Sequence, residues 1–254
     1  MATYNITSQQ LKGIGILNSF EISAGGASFT NTYSVELDGT DDDISCGNVT
    51  TFNGVNKASI SVWFKTSNST ARYLIAKYAG SGDRQFQILV IPNTRIDVYF
   101  TNIGFRSTDS MDLDDGEWHH IVVSYDGTLS GTSRAKVYLD GSALTNLGFS
   151  GPTSLATTST NLLIGNTGNV VSHWLGKIDE VSLWTKALSS SEVTGIYNGG
   201  GTGIPGDLTG EAGLAHWWRM GDNDGGSGTT VTDQVGSNNG TLSNDAAFVE
   251  DVPS

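Results

Sequence analysis

Carboxylates and aromatic rings are the side chains of this chain that could do chemistry; Asp and Glu number 26 against 13 Lys and Arg. Cleaving a glycosidic bond takes two carboxyl groups facing one bond, one donating a proton and one attacking or activating water. Asp179 and Glu180 are adjacent in a run that alternates like a strand, so opposite faces are expected and they cannot serve one bond. His119 and His120 diverge for the same reason, and packing and hydrogen bonding are the roles expected of them. Cys46 is the only cysteine. It excludes an internal disulfide and reads as a small buried or turn residue. Asp41, Asp42 and Asp43 form an acidic turn. A hard cation such as calcium needs several oxygens, so the turn is a candidate metal site, although solvated carboxylates are commoner and no EF-hand spacing is present. Sugar faces stack on exposed rings flanked by groups that bond hydroxyls. Tyr73, Tyr78, Tyr99, Trp174 and Trp217 are the candidate rings, with Arg72, Arg84 and Arg106 as polar partners.

Short strands must carry these groups. Ile60, Val62 and Phe64 alternate with Ser59, Ser61 and Trp63; Phe86, Ile88 and Val90 make one face of a strand, and Ile96, Val98 and Phe100 follow. Further runs cover 118–125, 136–140, 161–165 and 176–184, with turns rich in Gly and Asp between them. Successive strand residues face opposite ways, so each run offers one face to a core, and the spacing predicts antiparallel sheets packed as an all-β sandwich. One short helix is expected, because Ser189 and Glu192 make a capping box ahead of Val193, Ile196 and Tyr197, with Gly199 able to end it. Between Leu214 and Met220, alternation sends His216 and Trp218 one way and Trp217 and Arg219 the other. Residues 1–32 lack sustained periodicity and read as an arm lying on the domain or on a neighbouring subunit; 33–254, including the strand block 207–254, read as one domain.

Composition limits the partners. A net charge of -13 repels phosphate backbones and disfavours nucleic acid. No apolar run reaches membrane-spanning length, and the N-terminus lacks the basic and apolar regions of a secretory signal.

The ordered motifs resemble the laminin G-like, concanavalin A-like jelly-roll family. Leu37-Asp38-Gly39 with Asp41-Asp42-Asp43-Ile44 resembles its opening strand and turn, and Ser59 to Lys65 the next strand. Gly116-Glu117-Trp118-His119-His120-Ile121-Val122-Val123-Ser124-Tyr125-Asp126-Gly127 is the most specific piece. Val137-Tyr138-Leu139-Asp140-Gly141, Leu162-Leu163-Ile164-Gly165, then Gly176-Lys177-Ile178-Asp179-Glu180-Val181-Ser182-Leu183-Trp184 follow in the family's order. The block from Gly213 to Leu242 resembles a segment that often stands first in the family; here it stands last, as a displaced strand of the same domain. The resemblance implies a two-sheet jelly roll with one helix. It also implies a structural calcium (Ca2+) held by Asp179 with Asp222 or its neighbouring carbonyls. Related hydrolases carry Glu-x-Asp-x-x-Glu on one strand. That pattern is absent, so a non-enzymatic role is expected. The family spans lectins, adhesion modules and virion proteins. The expectation is a virion structural protein, a phage capsid decoration or tail-associated component, forming a homotrimer or contacting other virion proteins through its arm and binding polysaccharide weakly. The alternative is a carbohydrate-binding or adhesion module, secreted or at a bacterial cell surface.

Overall fold

The computed structural model describes residues 29–80, 82–101, 103–107, 109–147, 151–168, 172–197 and 203–254. The chain divides into two units, Met1–Thr30 and Asn31–Ser254, and the second carries every described strand and helix. Most of the expected arm, with any subunit contact through it, lies outside the described residues, as does Gly199.

In chain order the strands are β1 (Ser34–Asp38), β2 (Ile44–Ser45), β3 (Lys57–Lys65), β4 (Arg72–Tyr78), β5 (Arg84–Ile91) and β6 (Arg95–Phe100). They continue with β7 (Ile103–Ser107), β8 (Trp118–Asp126), β9 (Ala135–Leu139), β10 (Ser142–Ala143), β11 (Asn146–Leu147) and β12 (Leu162–Ile164). After β13 (Leu175–Trp184) come helix α1 (Ser190–Tyr197), β14 (Leu214–Trp218), β15 (Thr230–Val231), β16 (Gly240–Leu242) and β17 (Ala247–Val249). One sheet orders β10-β9-β8-β3-β13-β1-β17, with β14 also paired to β13; the other orders β11-β7-β6-β5-β4-β12-β2-β16-β15. The two sheets form the antiparallel jelly-roll sandwich that the alternation predicts.

Period two puts the apolar faces together. Ile60, Val62, Phe64, Ile121, Val123 and Ile178 of the first sheet share one buried core with Phe86, Ile88, Val90, Ile96, Val98 and Phe100 of the second. Sealing each such side chain contributes about 1.5–3 kcal/mol. The first sheet is buried on its other face too. Ser59 Oγ donates to the Lys186 carbonyl at 2.8 Å and accepts from the Leu188 amide at 2.9 Å, which lays the segment before α1 across the strands. The capping box forms: Glu192 Oε2 accepts from the Ser189 amide at 2.8 Å, and Ser189 Oγ accepts from the Glu192 amide at 3.4 Å. Val193 and Ile196 face inward, and the Tyr197 ring stacks 5.6 Å from Trp63.

Two distant segments fill one strand position. β1 pairs with the first half of β13, Val35 opposite Ile178, and β14 pairs with the second half, Trp218 opposite Val181. Both run antiparallel to β13, so the chain leaves β14 where β1 begins. At this seam β13 bulges: its register to β3 shifts between Asp179 and Ser182, and Glu180 takes φ +46°. The C-terminal tail is pinned nearby, since the Asp251 carboxylate accepts from Lys177 Nζ at 2.6 Å and from Trp118 Nε1 at 3.1 Å. Among the described residues no helix is long and apolar enough to cross a membrane.

Candidate functional site

The outer face of the second sheet gathers three of the five rings singled out in the sequence. One cross-strand row places Leu163, Ala76, Gln87, Tyr99 and Gly104 side by side on β12, β4, β5, β6 and β7. Their sequence neighbours Phe86, Ile88, Val98 and Phe100 are core, so this row faces away from it. A second row runs Tyr73, Leu89, Asp97, and Tyr78 stands opposite Arg84. Gly104 leaves room for its neighbour, because a Cβ there would collide with the Tyr99 ring. The Arg84 guanidinium lies 4.5 Å from the Tyr78 ring centre and 4.8 Å from that of Tyr99, a cation held between two aromatic faces. Tyr73, Tyr78 and Tyr99 are all half-buried. Burial raises the Tyr73 phenol pKa, with the nearby Tyr99 adding to the rise and Arg84 opposing it.

Polar groups point the same way without full partners. Gln87 Nε2 donates to Thr167 Oγ1 at 2.9 Å, while Gln87 Oε1 and Arg84 Nε are buried with no hydrogen-bond partner. Such orphans are costly in a finished fold. Nothing in the sequence separates Gln87 from other strand polar residues, since only pairing with Tyr99 reveals its place.

The other ring candidates do not join this face. Trp174 is 1% exposed and packs edge-on against Phe64 at 5.5 Å, and Trp217 is 3% exposed. Both are corrected from exposed platforms to buried packing, the usual fate of a large apolar surface. Arg72 stands opposite core-facing Val90, so it leaves β4 on the side away from Tyr73 and is not a polar partner of that ring. Arg106 stands opposite Asp97 in register.

The seam overturns a second expectation. The bulge turns Asp179 and Glu180 to the same side of β13, where alternation put them on opposite faces; one extra residue reverses the phase. Both are buried and engaged. Asn31 Nδ2 donates to Asp179 at 2.8 Å, and Trp217 Nε1 and Arg219 Nε donate to Glu180 at 2.5 Å and 3.0 Å. Asp222 accepts from the Thr32 amide at 3.1 Å and from Arg219 at 3.0 Å. Burial, then repulsion from Glu180, lifts Asp179 well above the usual carboxylate range. Burial raises Glu180 to about 7 against the pull of Arg219. Asn31 Oδ1 is buried beside them without a hydrogen-bond partner.

The acidic turn divides. Asp42 is buried and accepts the amides of Asp38 and Asp245, each at 3.0 Å, while Asp43 accepts from Asn166 at 3.1 Å and Ser243 at 2.9 Å. Asp41 instead groups with Asp38 and Asp42, one carboxylate oxygen of each within 4.8 Å of the others. A cavity of 460 Å³ beside them is lined by Asp38, Asp42, Lys65, Thr66, Leu175 and Lys177 among others.

The histidines have structural partners. Asp140 accepts from the His120 amide at 2.8 Å and bonds His119 Nδ1 at 2.9 Å. Burial pulls His119 down, but Asp140 and Asp115 outweigh it and its pKa rises. His120 Nε2 lies 2.7 Å from Ser61 Oγ, yet the pair is buried and desolvation holds the imidazole at about 3, so it stays neutral. A chain that sequence reading missed runs Thr51, His216, Asp233, with His216 Nδ1 2.6 Å from Asp233 and Nε2 2.5 Å from Thr51 Oγ1. Asp233 also accepts the amides of Trp217, Gly236 and Asn238 and so fixes its loop.

The family model described as the concanavalin A-like lectin/glucanases superfamily matches residues 38–194. A heptameric SAP-like pentraxin from Limulus polyphemus is similar in fold, with TM-score 0.56 and 16% identity over 72% of this chain and 89% of that one. A candidate carbohydrate-binding protein from Bacteroides ovatus gives TM-score 0.64 and 15% identity over 87% of this chain and 60% of its own. No curated protein matches the chain.

Proposed function

The chain belongs to the concanavalin A-like lectin/glucanase superfamily, and on that premise we propose that it is a non-catalytic carbohydrate-binding domain. The observation that carries this reading is the outer face of the second sheet, where Tyr78 and Tyr99 flank Arg84 beside the unpaired Gln87 Oε1. Half-exposed rings supply apolar faces for pyranose C–H groups, and the Arg84 guanidinium between them supplies donors for sugar oxygens. The candidate carbohydrate-binding relative supports it at the level of fold. The burial of Asp179 and Glu180, each already bonded, supports a role without hydrolysis.

The test is a polysaccharide panel followed by calorimetry on the best ligand. Tyr99→Ala removes a stacking ring from a half-exposed position, so affinity should fall about tenfold, or about 1.4 kcal/mol, with the fold intact. A panel without binders, or a binder indifferent to Tyr99→Ala and Tyr78→Ala, rejects the reading.

A structural calcium belongs to the same proposal. Among the described residues three buried carboxylates, Asp179, Glu180 and Asp222, face one cation, Arg219, and Asn31 Oδ1 is an unpartnered oxygen among them. That donor set fits a hard divalent ion. Asp179, Asp222 and Asn31 would hold it, and its charge would offset the excess negative charge of the seam. The setting we propose is a phage particle, as a capsid decoration or tail-associated component, with a secreted or cell-surface adhesion module as the alternative. An acidic chain without disulfides supports the first.

A further inference from the structure

We infer that the tyrosine–arginine face takes an anionic polysaccharide, one bearing carboxylate or sulfate groups, with Arg84 as the anion receptor. The inference deepens the glycan-binding reading and rests on it. Its first support is where the charge lies. Residues 66–107 contain Arg72, Lys77, Arg84, Arg95 and Arg106 against only Asp83 and Asp97, a net +3. The chain as a whole carries -13, so everything outside this segment carries -16. Four of the six arginines fall on the adjacent strands β4, β5, β6 and β7, one on each. Arg72 leaves β4 on the side away from the tyrosines, so the charge this face offers is that of Arg84, and salt screens the acidic charges farther than about 8 Å from it.

The second support is what Lys77, Arg95 and Arg84 hold. Lys77 Nζ donates to Asn48 Oδ1 at 2.9 Å, the Thr160 carbonyl at 2.9 Å and the Thr158 carbonyl at 3.3 Å, so its three protons are used. Arg95 Nε is 2.8 Å from Asp97. Asp83, next to Arg84 in sequence, is bonded by Thr158 Oγ1. Arg84 is left with two rings and no hydrogen-bond or carboxylate partner among the described residues.

A guanidinium beside two aromatic faces keeps its faces dry, and its edge makes no hydrogen bond among the described residues. That edge carries only donors, in a fork matched to a carboxylate or sulfate. A neutral sugar hydroxyl would leave the charge uncompensated where the rings have already removed water.

Matched ligand pairs test this on the whole chain by calorimetry: polygalacturonate against its methyl ester, and chondroitin sulfate against unsulfated chondroitin. At least one acidic form should bind ten times tighter than its less charged counterpart, and the responding pair identifies carboxylate or sulfate as the group read. Arg84→Gln should bring the two members of that pair within twofold of each other, and Arg84→Lys should keep part of the preference. Tyr99→Ala should weaken both members alike. Equal affinity within both pairs overturns the inference while leaving glycan binding standing, as does a preference that survives Arg84→Gln. Failure of every polysaccharide to bind overturns both readings.

Discussion

His120 shows how a residue type suggestive of chemistry is used for packing. Its ring stacks 4.7 Å from Trp63 and 5.9 Å from Tyr197, and burial holds it neutral with a pKa of about 3. The unfolded imidazole titrates near 6.5, so below that pH the unfolded chain binds the extra proton. The stability this histidine contributes is therefore complete above about pH 6.5 and is lost as pH falls towards 3. Between pH 6.5 and 5 the loss is about 2 kcal/mol at one proton. Chemical denaturation across that range should show the decline, and His120→Gln, less stable at pH 7, should show a shallower one. An unchanged slope in the variant would mean the ring is not sealed from protons. That His119 and His120 diverge was readable from adjacency in a strand. Their shared anchor, Asp140, was not, because it sits on the next strand's turn.

At the scale of the element, β13 decides the chemistry of the seam. Its core residues Ile178, Val181 and Leu183 are spaced by three and then two, and that slip in spacing is the sequence signal of the bulge. Reading strict alternation across it sends Glu180 to the wrong face. With both carboxylates on one side, Asp222 close by and Arg219 the shared cation, calcium is expected to stabilise the protein by about 2.7 kcal/mol at a hundredfold excess over its dissociation constant. Thermal melting with calcium and with chelator measures this. Asp179→Asn should abolish the response and, in chelator at pH 8, raise the melting temperature, because a raised carboxyl pKa destabilises the fold as pH rises through it. Identical melting with calcium and with chelator would remove the ion from the proposal. The tyrosine face depends on an element pattern too. Tyr73, Tyr78, Tyr99 and Arg84 meet because β4, β5 and β6 are neighbouring antiparallel strands, whereas Trp174 and Trp217 lie at positions the packing covers.

At the scale of the whole molecule, the last block completes a strand position that β1 only half fills, and a domain whose first and last described strands, β1 and β17, pair in one sheet tolerates that rearrangement. Residues 31–254 carry their own core. If the first 30 residues join copies in a trimer, light scattering should find three chains for the full protein and one for a chain beginning at Asn31. A full chain that runs as a monomer removes the trimer. The sequence by itself determined the two antiparallel sheets, the capped helix and the alternation in β14, because periodicity and capping are local and each run chooses its apolar face before any partner is known. Tertiary structure alone decided which rings stay half-exposed, which arginine lies against two of them, and where the carboxylates of β13 point. Those depend on register, on a one-residue bulge and on what covers each face, and all three are set by strands that lie far apart in the chain.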